Sequence, residues 1–227
     1  MSLVGLNIGT QDSLSAKTRR YADYYRQLSN GTIKEVYDDE TVKLGLCFYR
    51  STVEKVTFTR CTKIVNYGAF ISCTALSHVY FPELISIGVW TFQDTQNLSY
   101  AFFPKVVSVG ANGFMRSGIE EVDLPNCTTL GSSVFGACKK LKKIKIPVCK
   151  TIEKSAFSEC AALEEIFLGG VTVVPSLINS NALNGTPDTM KIIVPDALVD
   201  SFKTATNWST YASRIIGVTE YEATQPQ

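Results

Sequence analysis

Six phenylalanines recur along this chain at a nearly constant interval. They are Phe48, Phe70, Phe92, Phe114, Phe135 and Phe157, and the intervals between them are 22, 22, 22, 21 and 22 residues. A fixed period of this size is typical of chains that fold as a stack of similar coils, because each short coil can bury its apolar side only against its neighbours. The feature therefore predicts a repeat architecture over most of the 227 residues.

A second apolar pattern follows each phenylalanine in the same register. It reads Leu76-x-x-Val79-x-Phe81-Pro82 in one coil, and similar phrases follow along the chain as far as Ile192-x-Val194-Pro195. This is the L-x-x-L-x-L signature of leucine-rich repeats. Its alternating part predicts a short strand with one face inward, and the proline marks the end of the strand because it cannot donate a backbone hydrogen bond.

These patterns predict a leucine-rich-repeat solenoid, a right-handed α/β and mostly β coil with one parallel sheet of short strands. We expect about seven coils of about 22 residues, capped at both ends. The phenylalanine segment is expected to return the chain on the opposite side as a helical turn. The expected divisions are an N-terminal helix or cap (1–42), the solenoid (43–195), and a C-terminal cap and tail (196–227).

Both ends depart from the repeat. Near the N-terminus Tyr21, Tyr24, Tyr25 and Leu28 fall on one face of a helix, which predicts either packing on the first coil or a helix that attaches the module to another chain. Near the C-terminus a short helix over 197–204 is expected, with Asp196 as its N-cap. Residues 214–218 are expected to form a final strand. Three apolar residues are expected to cover the last coil: Val199, Phe202 and Trp208.

The repeat phrase Ala-Phe-x-x-Cys-x-x-Leu carries a family resemblance. It stands at 69–76, and again at 156–163 as Ala-Phe-Ser-Glu-Cys-Ala-Ala-Leu. The chain resembles the BspA-like class of bacterial leucine-rich repeats over about residues 43–195. The resemblance implies a surface-exposed or secreted adhesion protein that binds host matrix or other cells. The first ten residues do not read as a secretory signal, because they lack a positive n-region.

Seven cysteines invite a disulfide or metal hypothesis, but most occupy repeat columns in which other coils carry small or apolar residues. We therefore expect buried thiols that act as small hydrophobic groups. Stacked coils would nevertheless bring Cys138 near Cys160, and Cys127 near Cys149, so disulfides at these two pairs stay open. A zinc site is not expected, because no close C-x-x-C pair exists and the chain has one histidine.

Composition argues against several function classes. The net charge is +1, which gives no basic footprint for a nucleic acid, and no apolar stretch approaches the length of a membrane span. The chain contains no phosphate-binding, dinucleotide-binding or hydrolase motif, so neither a cofactor nor enzyme activity is expected. A cryptic hydrolase with His78 as general base is the minor enzyme hypothesis, although no nucleophile or acid motif accompanies it.

Strand alternation identifies the outward residues. Two neighbouring coils present four rings there: His78, Tyr80, Tyr100 and Phe102. The next coil is acidic, with Glu120, Glu121 and Asp123, and the coil after it is basic, with Lys142, Lys143 and Lys145. The next two coils place Glu165 and Phe167, then Lys191 and Ile193, at the outward positions. The charges are expected to pair between neighbouring strands, whereas contiguous exposed rings can mark a binding site.

The preferred hypothesis is a non-catalytic module that recognises a protein or a glycan, such as host matrix or a cell-surface macromolecule, through the strand face. Its predicted ligand-binding residues are Tyr80, Tyr100 and Phe102, flanked by His78. The alternative is a structural subunit of a phage or cell-envelope assembly, held together by the N-terminal tyrosine helix.

Overall fold

The chain folds as a β-solenoid of about eight turns in the computed structural model, which describes residues 34–38, 43–44, 48–64 and 67–225. One strand per turn builds the strand face, and the strands run parallel in register. These strands are β1 (Glu35–Asp38), β3 (Lys55–Phe58), β5 (His78–Tyr80), β7 (Tyr100–Phe102), β9 (Glu121–Asp123), β11 (Lys143–Lys145), β13 (Glu165–Phe167), β15 (Lys191–Val194) and β16 (Ile215–Gly217). The predicted repeat fold is thus confirmed.

Each coil also contributes a second short strand, and these strands form another parallel sheet apart from the strand face. The sequence predicted only one sheet. Its seven strands have two residues each: β2 (Lys43–Leu44), β4 (Lys63–Ile64), β6 (Ser86–Ile87), β8 (Ser108–Val109), β10 (Thr129–Leu130), β12 (Thr151–Ile152) and β14 (Ser176–Leu177). Each strand pairs with its equivalent one coil away. Two residues are too few to show a period-two pattern, so the sheet leaves no trace in one coil's sequence.

The core runs the length of the stack between the two rows of strands. The six repeat phenylalanines are fully buried and stack on one another, with ring centroids 4.8 Å apart for Phe48–Phe70 and 5.2 Å apart for Phe114–Phe135. Apolar residues from both rows of strands complete this core. Each coil therefore depends on its neighbours for burial, as the repeat period predicted.

The predicted helical turn at each phenylalanine is wrong, because tight turns occupy this segment in the described coils. The residues two before and two after the phenylalanine have positive φ, as at Trp90 (59°) and Asp94 (60°) around Phe92. A left-handed residue on each side prevents a continuous helix. The backbone N–H groups bond instead to the next coil, as in the 2.7 Å bond from Phe92 N to Gly113 O.

The strand face is interrupted once. Strands β1, β3, β5 and β7 form one sheet, and β9, β11, β13, β15 and β16 form another, so β7 and β9 are not hydrogen-bonded partners. The interruption coincides with the single 21-residue interval: Phe114 and Ile119 lie five positions apart, whereas Phe92 and Leu98 lie six apart. Phe48 and Val53 are also five positions apart, yet β3 pairs with both β1 and β5, so the short connection accompanies the interruption and does not by itself explain it. At Gly118 an added Cβ would collide with the carbonyl oxygen of Gln96, so only glycine fits the shorter path.

The C-terminal segment closes over the last coils. It contains 3₁₀ turns at Asp196–Leu198 and Trp208–Arg214, helix α1 (Val199–Thr204), strand β16 and helix α2 (Val218–Ala223). Phe202 and Trp208 are buried in the common core, and Trp208 Nε1 donates a 2.7 Å bond to Pro175 O. Val199 is only partly buried, packed against this core. The predicted final strand is confirmed, with β16 adding to β15.

The predicted N-cap at Asp196 is wrong. The Asp196 carboxylate makes no cap hydrogen bond and instead accepts bonds from the backbone N–H and hydroxyl of Thr219, at 3.1 and 2.6 Å. It therefore ties the start of α1 to the start of α2. Ile193, predicted to point outward, is fully buried because α2 packs against β15.

The start of the chain is described in part. Strand β1 lies inside the segment 1–42 and pairs with β3, so the sheet begins before the first recognisable repeat. The tyrosine helix and Cys47 lie outside the described residues, and the three divisions of the chain stay predictions. No helix in the described ranges is long and apolar enough to cross a membrane.

Candidate functional site

The four rings singled out in the sequence lie together on β5 and β7. The register pairs His78 with Tyr100 and Tyr80 with Phe102. Tyr80 and Phe102 stack with centroids 5.0 Å apart and planes 6° apart, while His78 and Tyr100 lie 5.8 Å apart. All four are exposed, Tyr100 to 46%. We call these four residues the aromatic cluster.

Charged side chains continue the same two rows beyond the aromatic cluster. Glu121 follows Tyr100 and Asp123 follows Phe102, and Lys143 and Lys145 come next on β11. The predicted pairing is realised for Lys142 with Glu120 (2.9 Å) and for Lys143 with Glu165 (3.2 Å). Within the described residues Glu121, Asp123 and Lys145 form no ion pair. The pKa of Glu120 is lowered by its hydrogen bond to Lys142.

A groove of about 790 Å³ opens on the strand face where the sheet is interrupted. Strands β7, β9 and β11 line it, together with Glu165 and Tyr221. Its floor includes Ala101, an inward residue that is only partly buried, whereas its register partner Val79 is fully buried. Alanine is the smallest residue that any coil has at this inward position of the strand. On the other side of the interruption, β9 is not hydrogen-bonded to β7. We call this feature the interruption groove.

Helix α2 forms one wall of the interruption groove. The hydroxyl of Tyr221 donates a 2.8 Å bond to Glu165, which also holds Lys143. Burial and this bond to a carboxylate raise the pKa of Tyr221, and the bond to Glu165 raises the pKa of Lys143. The C-terminal segment thereby covers part of the strand face near β13 and leaves the aromatic cluster open. Sequence reasoning missed Tyr221, because no repeat column contains it.

A further aromatic pair lies on the turn side of the coils and was not predicted. Tyr67 and Trp90 are exposed, with ring centroids 5.8 Å apart. Trp90 has a φ of 59° in a column where other coils place Gly68, Asn112 or Ser133. Small residues suit this conformation better than tryptophan. A tryptophan in this column was therefore the sequence signal that could have indicated an exposed ring on the turn side.

The six cysteines that the structure describes are buried, as predicted, and the two candidate disulfides do not form. Cys127, Cys138, Cys149 and Cys160 are free thiols, and so is Cys73. Cys138 Sγ lies 2.9 Å from Phe114 O and Cys160 Sγ lies 3.0 Å from Phe135 O, so each thiol can donate to the phenylalanine carbonyl of the preceding coil. Burial raises the pKa of Cys149 and of Cys160 to about 12. Such thiols are protonated and shielded at neutral pH.

The geometry around His78 does not assemble a catalytic site. The hydroxyl of Ser77 lies 2.8 Å from His78 Nδ1 but donates its proton to the carbonyl oxygen of Glu54, at 3.0 Å. A serine that donates elsewhere is not activated by the imidazole. In the described part of the chain no carboxylate bonds to His78, and no group of three or more His, Cys, Asp or Glu could hold a metal ion.

The family follows from a comparison with known repeat sequences. The model of the BspA type leucine rich repeat region matches residues 45–164 and 107–205, with six copies. The chain belongs to the BspA-type leucine-rich repeat family. The matches extend over the aromatic cluster, the start of the C-terminal segment and the interruption groove apart from Tyr221. A search of curated protein sequences gives no significant match.

Solved structures show the same fold. The chain is similar to the T. pallidum leucine rich repeat protein TpLRR, with a TM-score of 0.58 and 22% identity over 70% of this chain and 81% of that one. It is also similar to a leucine-rich repeat protein from Bacteroides ovatus, with a TM-score of 0.54 and 19% identity over 73% of this chain and 49% of that one. The pneumococcal vaccine antigen PcpA matches with a TM-score of 0.51 and 14% identity, over 81% of this chain and 40% of that one.

Two of these proteins are longer, and this chain spans about half the length of the Bacteroides ovatus protein and less than half of the pneumococcal one. Identities of this size show a shared fold alone. BspA-type repeats and their structural relatives are in general non-catalytic binding scaffolds. What this chain binds must therefore be argued from its own surface.

Proposed function

We propose that this protein is a non-catalytic recognition module, placed at the cell surface or secreted, that binds a macromolecule through the aromatic cluster. The observation that carries the proposal is the contiguous exposure of four rings on two neighbouring strands. Rings of this kind supply a large contact area at a low cost in side-chain entropy, and contiguous exposed apolar area on a soluble domain often marks a binding site.

Two further features support the strand face as the binding surface. Short strands fix the positions of the rings, because β5 is hydrogen-bonded to a neighbouring strand on both sides and β7 is hydrogen-bonded to β5. Membership of the BspA-type family also agrees with a surface protein that binds other molecules. The adhesion role and the location at the cell surface belong to the proposal.

The test compares wild type with the triple variant Tyr80→Ala/Tyr100→Ala/Phe102→Ala on arrays of matrix proteins and glycans. We expect the triple variant to lose at least tenfold in affinity for whatever wild type binds. Its melting temperature should fall by less than about 4 °C, because exposed cross-strand pairs contribute only tenths of a kcal/mol each.

The matched control removes the exposed ring pair on the turn side, as Tyr67→Ala/Trp90→Ala, and should bind like wild type. Equal losses in both variants would contradict a site on the strand face. A large fall in melting temperature for the triple variant would make its rings structural. Absence of any wild-type binding would also count against the proposal.

A further inference from the structure

The interruption groove brings three kinds of surface together on the strand face. Tyr100 lines it with an exposed ring, Ala101 opens its floor, and Glu121 and Asp123 form the opposite edge. The inner edges of β7 and β9 carry backbone N–H and C=O groups that are not paired with each other. The groove therefore places the apolar face of the Tyr100 ring beside several hydrogen-bonding groups.

The charges of the groove are mostly balanced within the protein. Glu165 is neutralised by Lys143, and Glu120 by Lys142 on the rim. Two carboxylates, Glu121 and Asp123, and one ammonium, Lys145, are left without ion-pair partners in the described chain. Acceptors and donors are thus both available, with a small excess of negative charge.

This composition selects among ligand classes. An anionic ligand would meet two unpaired carboxylates, and a ligand with several positive charges would exceed the single net negative charge that Glu121, Asp123 and Lys145 leave unpaired. A neutral, hydroxyl-rich ligand can accept from Lys145 and donate to Glu121 and Asp123 without adding an unpaired charge. The apolar face of a sugar ring can also pack on the Tyr100 ring, which buries apolar area on both partners.

We infer that the interruption groove is a binding site for a neutral oligosaccharide, with Tyr100 as its stacking platform. The inference rests on the proposed function, whose ligand class it narrows from a protein or a glycan to a neutral glycan. The neighbouring Tyr80–Phe102 stack extends the platform toward β5, so a second sugar unit has a place beside the first.

The experiment uses the full chain and an array that contains neutral oligosaccharides, sialylated and sulfated glycans, and lysine-rich peptides, followed by titration calorimetry on the bound probes. Wild type should bind a neutral oligosaccharide, and Tyr100→Ala should weaken that binding at least tenfold. Tyr67→Ala, which removes an exposed ring far from the groove, should leave the affinity unchanged.

Two isosteric variants separate hydrogen bonding from charge attraction. Glu121→Gln and Asp123→Asn keep an acceptor oxygen while removing the charge, so binding of a neutral glycan should stay within about fivefold and change little between 50 and 500 mM salt, about the range over which charge attraction is screened. A cationic ligand would instead be lost in both variants and at high salt, which would overturn the inference.

A lengthened coil provides an independent test of the groove. Replacing residues 115–118 by the five-residue segment 93–97 restores the 22-residue interval, so β9 should pair with β7 and close the groove. Loss of glycan binding is expected, and because the replacement also removes the Arg116–Asp94 ion pair, Arg116→Asp is the control for its effect on stability. Retained binding in this variant would overturn the site.

The two proposals fail in different ways. If wild type binds a protein through the aromatic cluster and no neutral glycan, the glycan site is wrong and the recognition module stands. If wild type binds only sialylated or sulfated glycans, the charge reasoning is wrong. If it binds none of the probes and none of the matrix proteins, both proposals are contradicted.

Discussion

At the residue scale, the position of a cysteine in the repeat determines what surrounds its thiol. Cys138 and Cys160 occupy the column in which Thr95 and Ser117 stand, and all four are buried. Each of the two thiols lies within hydrogen-bond distance of a phenylalanine carbonyl of the preceding coil, and Thr95 bonds to the carbonyl of Phe92 in its own coil. The column thus requires a small side chain with a polar tip, and oxidation chemistry is not needed to explain it.

Stability should depend on these thiols at alkaline pH. The pKa of Cys160 is raised to about 12 in the folded chain because burial disfavours the thiolate. A group whose folded pKa is raised contributes stability that is complete below its unfolded pKa of about 8.5 and is lost as pH rises toward the folded value. The expected window of loss is therefore about pH 9 to 12.

Urea unfolding of Cys160→Thr measures this contribution. The variant has a threonine at the position that is equivalent to Thr95 in another coil. The threonine hydroxyl does not titrate in this range. Between pH 9 and 10 its free energy of unfolding should fall less steeply than that of wild type, by up to about 1.4 kcal/mol per pH unit. Parallel slopes for the two proteins would contradict a buried, protonated Cys160.

At the element scale, the strand face changes where the short coil lies. The connection from Phe114 to Ile119 is one residue shorter than the one from Phe92 to Leu98, and the strands that flank it, β7 and β9, do not pair. The inward residues of the coils nevertheless keep their positions before and after it. Gly118 N donates a 3.0 Å bond to Thr95 O at this point, which draws the two coils together beside the interruption. The groove thus lies beside the short connection and the close approach of Gly118, while the core stays continuous.

Gly118→Ala should destabilise the protein by about 2–3 kcal/mol, because the new Cβ would collide with backbone and one coil would have to move. Chemical denaturation monitored by circular dichroism measures the effect. Gly136→Ala is the matched control: its Cβ would lie 3.2 Å from Ser133 O, so a smaller loss is expected. Equal stabilities for the two variants would show that the close approach at Gly118 relaxes freely.

The whole molecule is stabilised through contacts between neighbouring coils, so its ends carry disproportionate weight. At the C-terminal end Trp208 packs edge-on against Phe202, with centroids 5.1 Å apart, and bonds to the carbonyl of Pro175. Tyr211 donates to the carbonyl of Ser180, and Arg214 pairs with Asp188. We propose that this segment serves as the C-terminal cap of the stack.

The two tryptophans of the chain test this role directly. Trp208→Ala should cost about 3–5 kcal/mol, because it removes a fully buried ring and leaves the Pro175 carbonyl without its donor. Trp90→Ala removes a ring that is 42% exposed and should change the free energy of unfolding by about 0.5 kcal/mol or less. Thermal melting of both variants decides the matter, and similar losses would contradict a cap at Trp208.

The sequence by itself determined the repeat, the inward columns and the clustering of His78 with Tyr100 and of Tyr80 with Phe102. It could do so because a solenoid repeats one local pattern, and contacts between equivalent positions follow from the period alone. The burial of the cysteine columns was predictable for the same reason. The length of the short coil was visible as a 21-residue interval, but the interruption of strand pairing beside it was not.

Tertiary structure alone decided the features that do not repeat. The turns around each phenylalanine replaced an expected helix, because hydrogen bonds to the next coil compete with bonds inside the segment. Helix α2 buried Ile193 and brought Tyr221 to Glu165, 56 positions earlier in the chain. The interruption groove likewise depends on how two coils of different length stack. Contacts between distant, non-equivalent residues leave no period in the sequence, so only the folded chain reveals them.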